Sequence, residues 1–245
     1  IDSAAAPRIC TLTGPGLQVQ VTVPSFEMTL TTTQRSPLRC APLAAFQVTA
    51  IDSSADSLAF SVIALADLLP MRIVLRVHDG ALEIRMHADS AVSMENAIAF
   101  PGRIAGSPQA QIILPRAEGL RIPVREISSF GDFAMYAYKA TMSFVGVEDA
   151  GEGYLLASDD PWSSTVRFGK TAGDTLPAPV LYHLDAKQRF SHDRVFFLLP
   201  IGSGGYNEMC AWYRRRAEQR GLVRTFAEKR LTNPNIDRLR GAIDL

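Results

Sequence analysis

Residues 141–162, TMSFVGVEDAGEGYLLASDDPW, constrain the fold more than any other stretch of this chain. They read as a long β-hairpin. Met142, Phe144 and residues 145–147 form an apolar arm, residues 148–153 a turn, and residues 154–157 the return arm. Asp149, Gly151 and Gly153 are expected to supply the left-handed conformations that a tight reversal needs. Because both arms are almost wholly apolar, both faces should be buried, as in a central strand pair of a sandwich. Polarity returns only at Ser158, Asp159 and Asp160, ahead of Pro161 and Trp162.

The rest of the chain is strand-like up to residue 200. Residues 17–30 alternate apolar and polar, broken at Pro24, which predicts a half-buried strand with an edge or bulge there. Residues 31–42 are polar and proline-bearing and read as a loop. Residues 46–51 follow as a strand; residues 58–69 are ambiguous between strand and helix, because Ala59, Ala64 and Ala66 weaken the strand case, and the flanking strands and Pro70 favour strand. Residues 72–87 form the clearest hairpin, because Asp79-Gly80 between alternating arms suits a type I′ turn. Proline and glycine cut residues 98–124 into short segments. Residues 133–138, 166–168, 180–183 and 194–199 complete the strand series, with a turn-rich loop over 170–179.

At Ile201 the pattern changes. Residues 202–205, Gly-Ser-Gly-Gly, read as a hinge. Asn207 could cap a helix with Met209, Trp212, Tyr213 and Ala217 on one face, and Gly221 supplies a stop. Thr225 and Glu228 form a capping box for a second helix, which Asn233-Pro234 ends, and residues 236–239 could add a turn. The expected architecture is a mainly β, antiparallel β-supersandwich over residues 1–200, with a hinge and short C-terminal helical segment over 201–245. Prolines at strand edges favour an open sandwich over a closed barrel.

Composition excludes several function classes. The 245 residues carry a formal net charge of zero, which argues against nucleic acid as a partner. No apolar run approaches the ~18 residues of a membrane span. The chain opens on IDSAAAPR, without an initiating Met or a signal-like h-region, and so reads as a processed or excised piece. Cys10, Cys40 and Cys210 are too scattered for a zinc site or disulfide scaffold; buried free thiols are expected, though Cys10 and Cys40 could pair in an oxidising compartment.

No catalytic signature stands on its own. The glycine run lacks the lysine and spacing of a phosphate loop, and Ser203 lacks the glycine two before it that a nucleophile elbow requires. Arg214, Arg215 and Arg216 read as a solvated helix face paired with Glu218. His78 and His87 could bind a metal together, as could His183, Asp185, His192 and Asp193, but ordinary solvated or packed roles are expected, with no metal and no cofactor. Asp159, Asp160 and Trp162 form the most suggestive group. An indole face beside carboxylates suits a sugar, with its C–H face on the ring and its hydroxyls on the oxygens. Asp159 and Asp160 are adjacent and should point to opposite sides, which makes them a poor acid–base pair. A loop-capping role is the plainer reading.

Three segments in order, FPGRIAGSPQAQIILPRAEGLRIPV, MSFVGVEDAGEGYLLASDDPW and WYRRRAEQRGLVRTFAEKRLTNPNIDRLRGAIDL, resemble the N-terminal region of glycosidase-related proteins similar to endo-α-N-acetylgalactosaminidases. The likeness covers residues 98–245. It implies a galactose-mutarotase-like β-supersandwich that precedes a (β/α)8 catalytic barrel. It also implies that the catalytic carboxylates belong to that barrel, so no catalytic residue is carried over. Trp212, Tyr213 and Phe226 are then expected to dock on the downstream (β/α)8 domain, and carbohydrate is the expected ligand class. A stand-alone sugar-binding or mutarotase-like module and a structural or oligomerisation module are the alternatives.

Overall fold

The computed structural model describes residues 6–88, 92–104, 106–129, 133–135, 140–169, 176–183 and 189–239. The chain divides into two compact units, Ile1–Met209 and Cys210–Leu245.

The first unit is a set of antiparallel sheets. β1 (Arg8–Gly14), β2 (Leu17–Val23), β3 (Glu27–Thr31) and β4 (Leu38–Cys40) form a four-stranded meander. The alternating residues 17–30 are therefore two strands and not one bulged strand: the chain reverses at Pro24 and Phe26, with Thr22 opposite Glu27. Proline suits a turn because it has no N–H to lose from the ladder. The left-handed backbone of Phe26 (φ 51°) turns its ring into the core. β4 lies in the stretch expected to be loop. Its Leu38 and Cys40 are buried and its Arg39 exposed, a strand too short for periodicity to reveal.

β5 (Phe46–Ser53), β6 (Ser57–Ala64), β7 (Leu69–His78) and β8 (Ala81–His87) form a second meander. Residues 58–69 are not one strand. The chain turns at residues 65–68, where Leu68 has φ 52°, and Ala64 pairs with Leu69. Asp79 and Gly80 adopt the expected left-handed pair (φ 48° and 72°). Short strands follow, as the punctuation implied: β9 (Val92–Ser93), β10 (Ile98–Ala99), β11 (Gln111–Leu114), β12 (Leu120–Pro123) and β13 (Phe133–Ala134). The strand expected over 133–138 and the loop over 170–179 lie partly outside the described residues.

β14 (Phe144–Asp149) and β15 (Glu152–Ser158) form the expected apolar hairpin. Its reversal uses Ala150 and Gly151 (φ 52° and 84°), not Asp149 or Gly153. Gly153 is needed for another reason: a Cβ there would collide with the carbonyl oxygen of Val147. β16 (Ser164–Gly169), β17 (Ala178–His183), β18 (Arg189–Phe190) and β19 (Arg194–Ile201) complete the unit.

The large sheet has nine strands in the order β12-β11-β14-β15-β19-β8-β7-β6-β5, so β15 and β19 are central. A second four-stranded sheet runs β10-β17-β16-β13, and β18 pairs with β9. One face of the large sheet meets both smaller sheets. Its other face is closed at Gly146, where a Cβ would strike the Met209 side chain in the first turns of α1 (Gly205–Gln219). That two-sided burial explains the unbroken apolar runs in β14, β15 and β19.

Phe100 joins the sheets. Its ring makes edge-on contacts with Phe26, Phe46 and Phe196 at centroid distances of 5.8, 5.6 and 6.0 Å. Its N–H donates to the Leu181 carbonyl at 3.0 Å. Cys10 and Cys40 are buried free thiols, and burial pushes the Cys40 pKa up to about 12, so it packs as a small apolar group.

In the second unit, α1 ends at Gly221 (φ 67°), where Leu222 N–H donates to Ala217 and Gly221 N–H to Glu218, each at 2.9 Å. Arg214 pairs with Glu218 one turn on, at 2.9 Å. α2 (Phe226–Thr232) carries the complete Thr225–Glu228 capping box, and a further turn spans Pro234–Leu239. α1 begins at Gly205, two residues before the expected Asn207 cap.

Replacing Phe100 by Ala removes the ring that packs against Phe26, Phe46 and Phe196 and should cost about 3–5 kcal/mol. Urea unfolding of the two proteins would show this as a lower midpoint with an unchanged slope.

Candidate functional site

Asp160 and Trp162 lie where the large sheet passes into the smaller one, on the short turn that links β15 to β16. Three features make that turn. Pro161 starts a single 3₁₀ turn over Pro161–Ser163, Asp160 N–H donates to Ser158 Oγ at 3.1 Å, and Ser164 Oγ donates to the Asp160 carbonyl at 2.9 Å. Ser158 and Ser164 hydroxyls meet at 2.9 Å and tie the two sheets together. Asp159 continues the strand ladder, its N–H donating to Val195 at 2.9 Å.

The Asp160 carboxylate has a partner that the sequence did not reveal. Oδ2 accepts from Nη1 of Arg194 at 3.0 Å and from Nε2 of His192 at 2.8 Å. Arg194, the first residue of β19, is 1% exposed, and its guanidinium stands 5.0 Å from the centroid of Phe190. A buried guanidinium demands a carboxylate, since removing one partner of such a pair costs about 3–5 kcal/mol. Asp160 is therefore first a structural counter-ion. Arg194 Nη1 also lies against His192 Nε2. One ring nitrogen cannot donate to Asp160 and accept from Arg194 at once, so the His192 proton selects between them. The spacing of Asp160 from residues 192–194 is long-range, and no sequence pattern announces it.

His183, the last residue of β17, sits behind this group. It is fully buried, its Nε2–H donates to the Phe100 carbonyl at 3.2 Å, and its ring lies 4.6 Å from that of Phe196. Nδ1 carries no hydrogen bond. Burial holds the imidazole pKa down at about 4, assisted by Arg194 and opposed by the Phe100 hydrogen bond and by Asp160.

The remaining candidates separate. His87 Nδ1 donates to Asp193 at 2.6 Å, and Arg85 pairs with the same carboxylate at 3.0 Å. His192 and Asp193 thus turn to different partners, and Asp185 lies outside the described residues. His78 faces Ala81 at the hairpin turn while His87 faces Arg72 at its far end, about 20 Å away by strand rise, so the two cannot share a metal. Among the described residues no group of three or more His, Cys, Asp or Glu is placed to hold a metal ion. Trp162 is 69% exposed. Of the residues expected to dock on another domain, Phe226 is exposed and Tyr213 half-buried, but Trp212 is buried and so is not part of an exposed patch.

The neutral state of His183 has a consequence for acid stability. The unfolded chain takes up this proton near pH 6.5 and the folded chain only near pH 4. Between those values the unfolded state binds more protons, so stability falls as the pH is lowered, by about 3 kcal/mol in all. Equilibrium unfolding across this window should show that slope in the wild type and a shallower one in His183→Gln.

No protein-family pattern matches the sequence, and none of the curated proteins does. The fold does match. The ligand-free α-N-acetylgalactosaminidase NagBb from Bifidobacterium bifidum aligns over 92% of this chain with a TM-score of 0.71 and 15% identity. Its complex with GalNAc aligns over the same share with a TM-score of 0.74 and 13% identity. A galactose mutarotase-like protein from Lactobacillus casei aligns over 79% of this chain and 100% of its own, with a TM-score of 0.48 and 10% identity. The chain spans 41% of the length of NagBb. The resemblance to glycosidase-related proteins is thus met by a mainly antiparallel β fold shared with part of an α-N-acetylgalactosaminidase.

Proposed function

We propose that this chain is the non-catalytic β-sandwich and linker of a carbohydrate-active enzyme related to glycoside hydrolases. In this reading it supports a (β/α)8 catalytic domain of the same protein and contacts glycan at the end of the sandwich. The observation that carries the proposal is α2. It is folded and fully capped, yet none of its side chains is buried. Leu222, Val223, Phe226 and Leu231 are all exposed, Leu231 at 87%. A seven-residue helix is marginal in water by itself, and so concentrated an apolar surface is what a neighbouring domain would cover. The fold shared with less than half of a glycosidase chain supports the same reading.

The docking surface in this proposal is Phe226 with Leu231, Leu222 and Val223; Tyr213 is half-buried and Trp212 buried. Expression of the natural reading frame through and beyond Leu245 tests it. Phe226→Ala with Leu231→Ala should lower the melting temperature and the glycosidase activity of the full protein. The same changes in the 245-residue chain should shift stability by no more than about 0.5 kcal/mol. A full protein indifferent to both substitutions would sink the docking surface.

The glycan contact is assigned to Trp162, with Asp160 and Asp159 beside it. Asp160 Oδ2 is occupied by Arg194 and His192, which leaves Oδ1 to accept from a sugar hydroxyl. The two tryptophans differ sharply, Trp162 exposed and Trp212 buried, so the red edge of the emission reports Trp162. Oligosaccharides ending in GalNAc should shift that emission to the blue in the wild type and leave Trp162→Phe unchanged. An unaltered wild-type spectrum at saturating sugar removes the contact.

A further inference from the structure

At the opposite end of β15 from Asp160, the β14–β15 turn closes one wall of a cleft of about 420 Å³. Its floor is apolar: Leu38, Ile104, Val147 and Tyr154, each buried. Its rim is polar: Arg35, Ser107, Gln109, Asp149 and Glu152. Volume and anatomy are those of a small-molecule site, an apolar base with a few convergent polar groups.

The rim is held in place before any ligand arrives. Ser107 donates to Asp149 twice, from N–H at 2.7 Å and from Oγ at 2.5 Å. Ser36 N–H donates to Glu152 at 2.9 Å. Arg35 donates to the Gly153 carbonyl and lies 3.8 Å from Glu152. Burial draws the Arg35 pKa below its ordinary value, and Glu152 opposes the shift. A partly dehydrated guanidinium fixed in this way is a strong and well-aimed donor. Gly106 also lines the cleft, where a Cβ would stand 3.2 Å from Ala110 Cβ and 3.7 Å from an Asp149 oxygen.

Charge and polarity decide what fits. Two carboxylates against one guanidinium leave the rim net negative, which disfavours phosphate, sulfate and other anions. A hydrocarbon would strip water from charged groups and return no hydrogen bonds. A neutral polyol satisfies both sides: its hydroxyls donate to Asp149 and Glu152, accept from Arg35 and Gln109, and its C–H face covers Leu38 and Val147.

We infer that this cleft binds a neutral, hydroxyl-rich ring of the size of one monosaccharide. The site is separate from the Trp162 contact and does not depend on it.

Amide-resolved NMR titration with N-acetylgalactosamine and with galactose tests the assignment, with sodium sulfate as the anionic probe. Sugar should move the amides of Gly106, Gln109 and Gly151, and sulfate should leave them in place. Gln109 is exposed, so its variants should keep the fold, as the same spectra would show. Gln109→Trp should abolish the sugar response, and Gln109→Ala should weaken it about tenfold. Cleft amides that stay still, or that move equally in Gln109→Trp, overturn the proposal. So does an equal response to sulfate. If the Trp162 indole alone responds, the cleft is not the site and the glycan contact at the sandwich end stands.

Discussion

Everything in the first unit depends on how one aromatic side chain is shared. Phe100 belongs to none of the long strands, yet its ring touches the turn of the small meander through Phe26, the edge of the large sheet through Phe46, and its centre through Phe196. Its backbone closes the same junction, since N–H and C=O bond Leu181 and His183 on the third sheet. Twisted sheets pack well only where their inner faces interdigitate, and large rings fill such a junction with the fewest voids. The edge-on geometry adds a further contribution of order 1 kcal/mol per pair beyond buried area.

That junction sets the terms for the polar groups beside it. His183 must stay neutral because it lies against Phe196 and spends its one proton on Phe100. The buried Arg194 guanidinium takes Asp160 as a counter-ion, and Asp160 in turn bonds His192 at the surface. A line of ionisable groups therefore runs from the core to the sandwich end, and each is held by the demand of the one behind it. The surface residues inherit a fixed geometry from a buried charge.

Some of this was legible in the residues. The Asp79-Gly80 hairpin, the hydrophobic hairpin of β14 and β15, the capping box at Thr225 and the helix stop at Gly221 are local signals, complete within a few positions. The errors were local too. Residues 17–30 keep one alternating rhythm through a reversal, because Phe26 is buried as a turn residue and continues the apolar register. Leu65 and Leu68 disguised a turn as strand, since exposed leucines look like core until the chain is folded. Of the candidate residues, Asp159, Asp160 and Trp162 could be singled out by type. His192 and Arg194 could not, because nothing in the sequence brings residue 160 to residues 192–194.

The sequence by itself determined the class of fold: where strands alternate, where turns are obligatory, and where strand gives way to helix at Ile201. Those properties follow from backbone sterics and from the two-residue and 3.6-residue periods of burial. Only the tertiary structure decided which strands are neighbours, that Trp212 is covered while α2 is bare, and that Asp160 serves a buried arginine. Pairing, burial and ion-pair partners are set by contacts between residues far apart in the chain, and hydrophobic packing has no direction along the sequence from which they could be read.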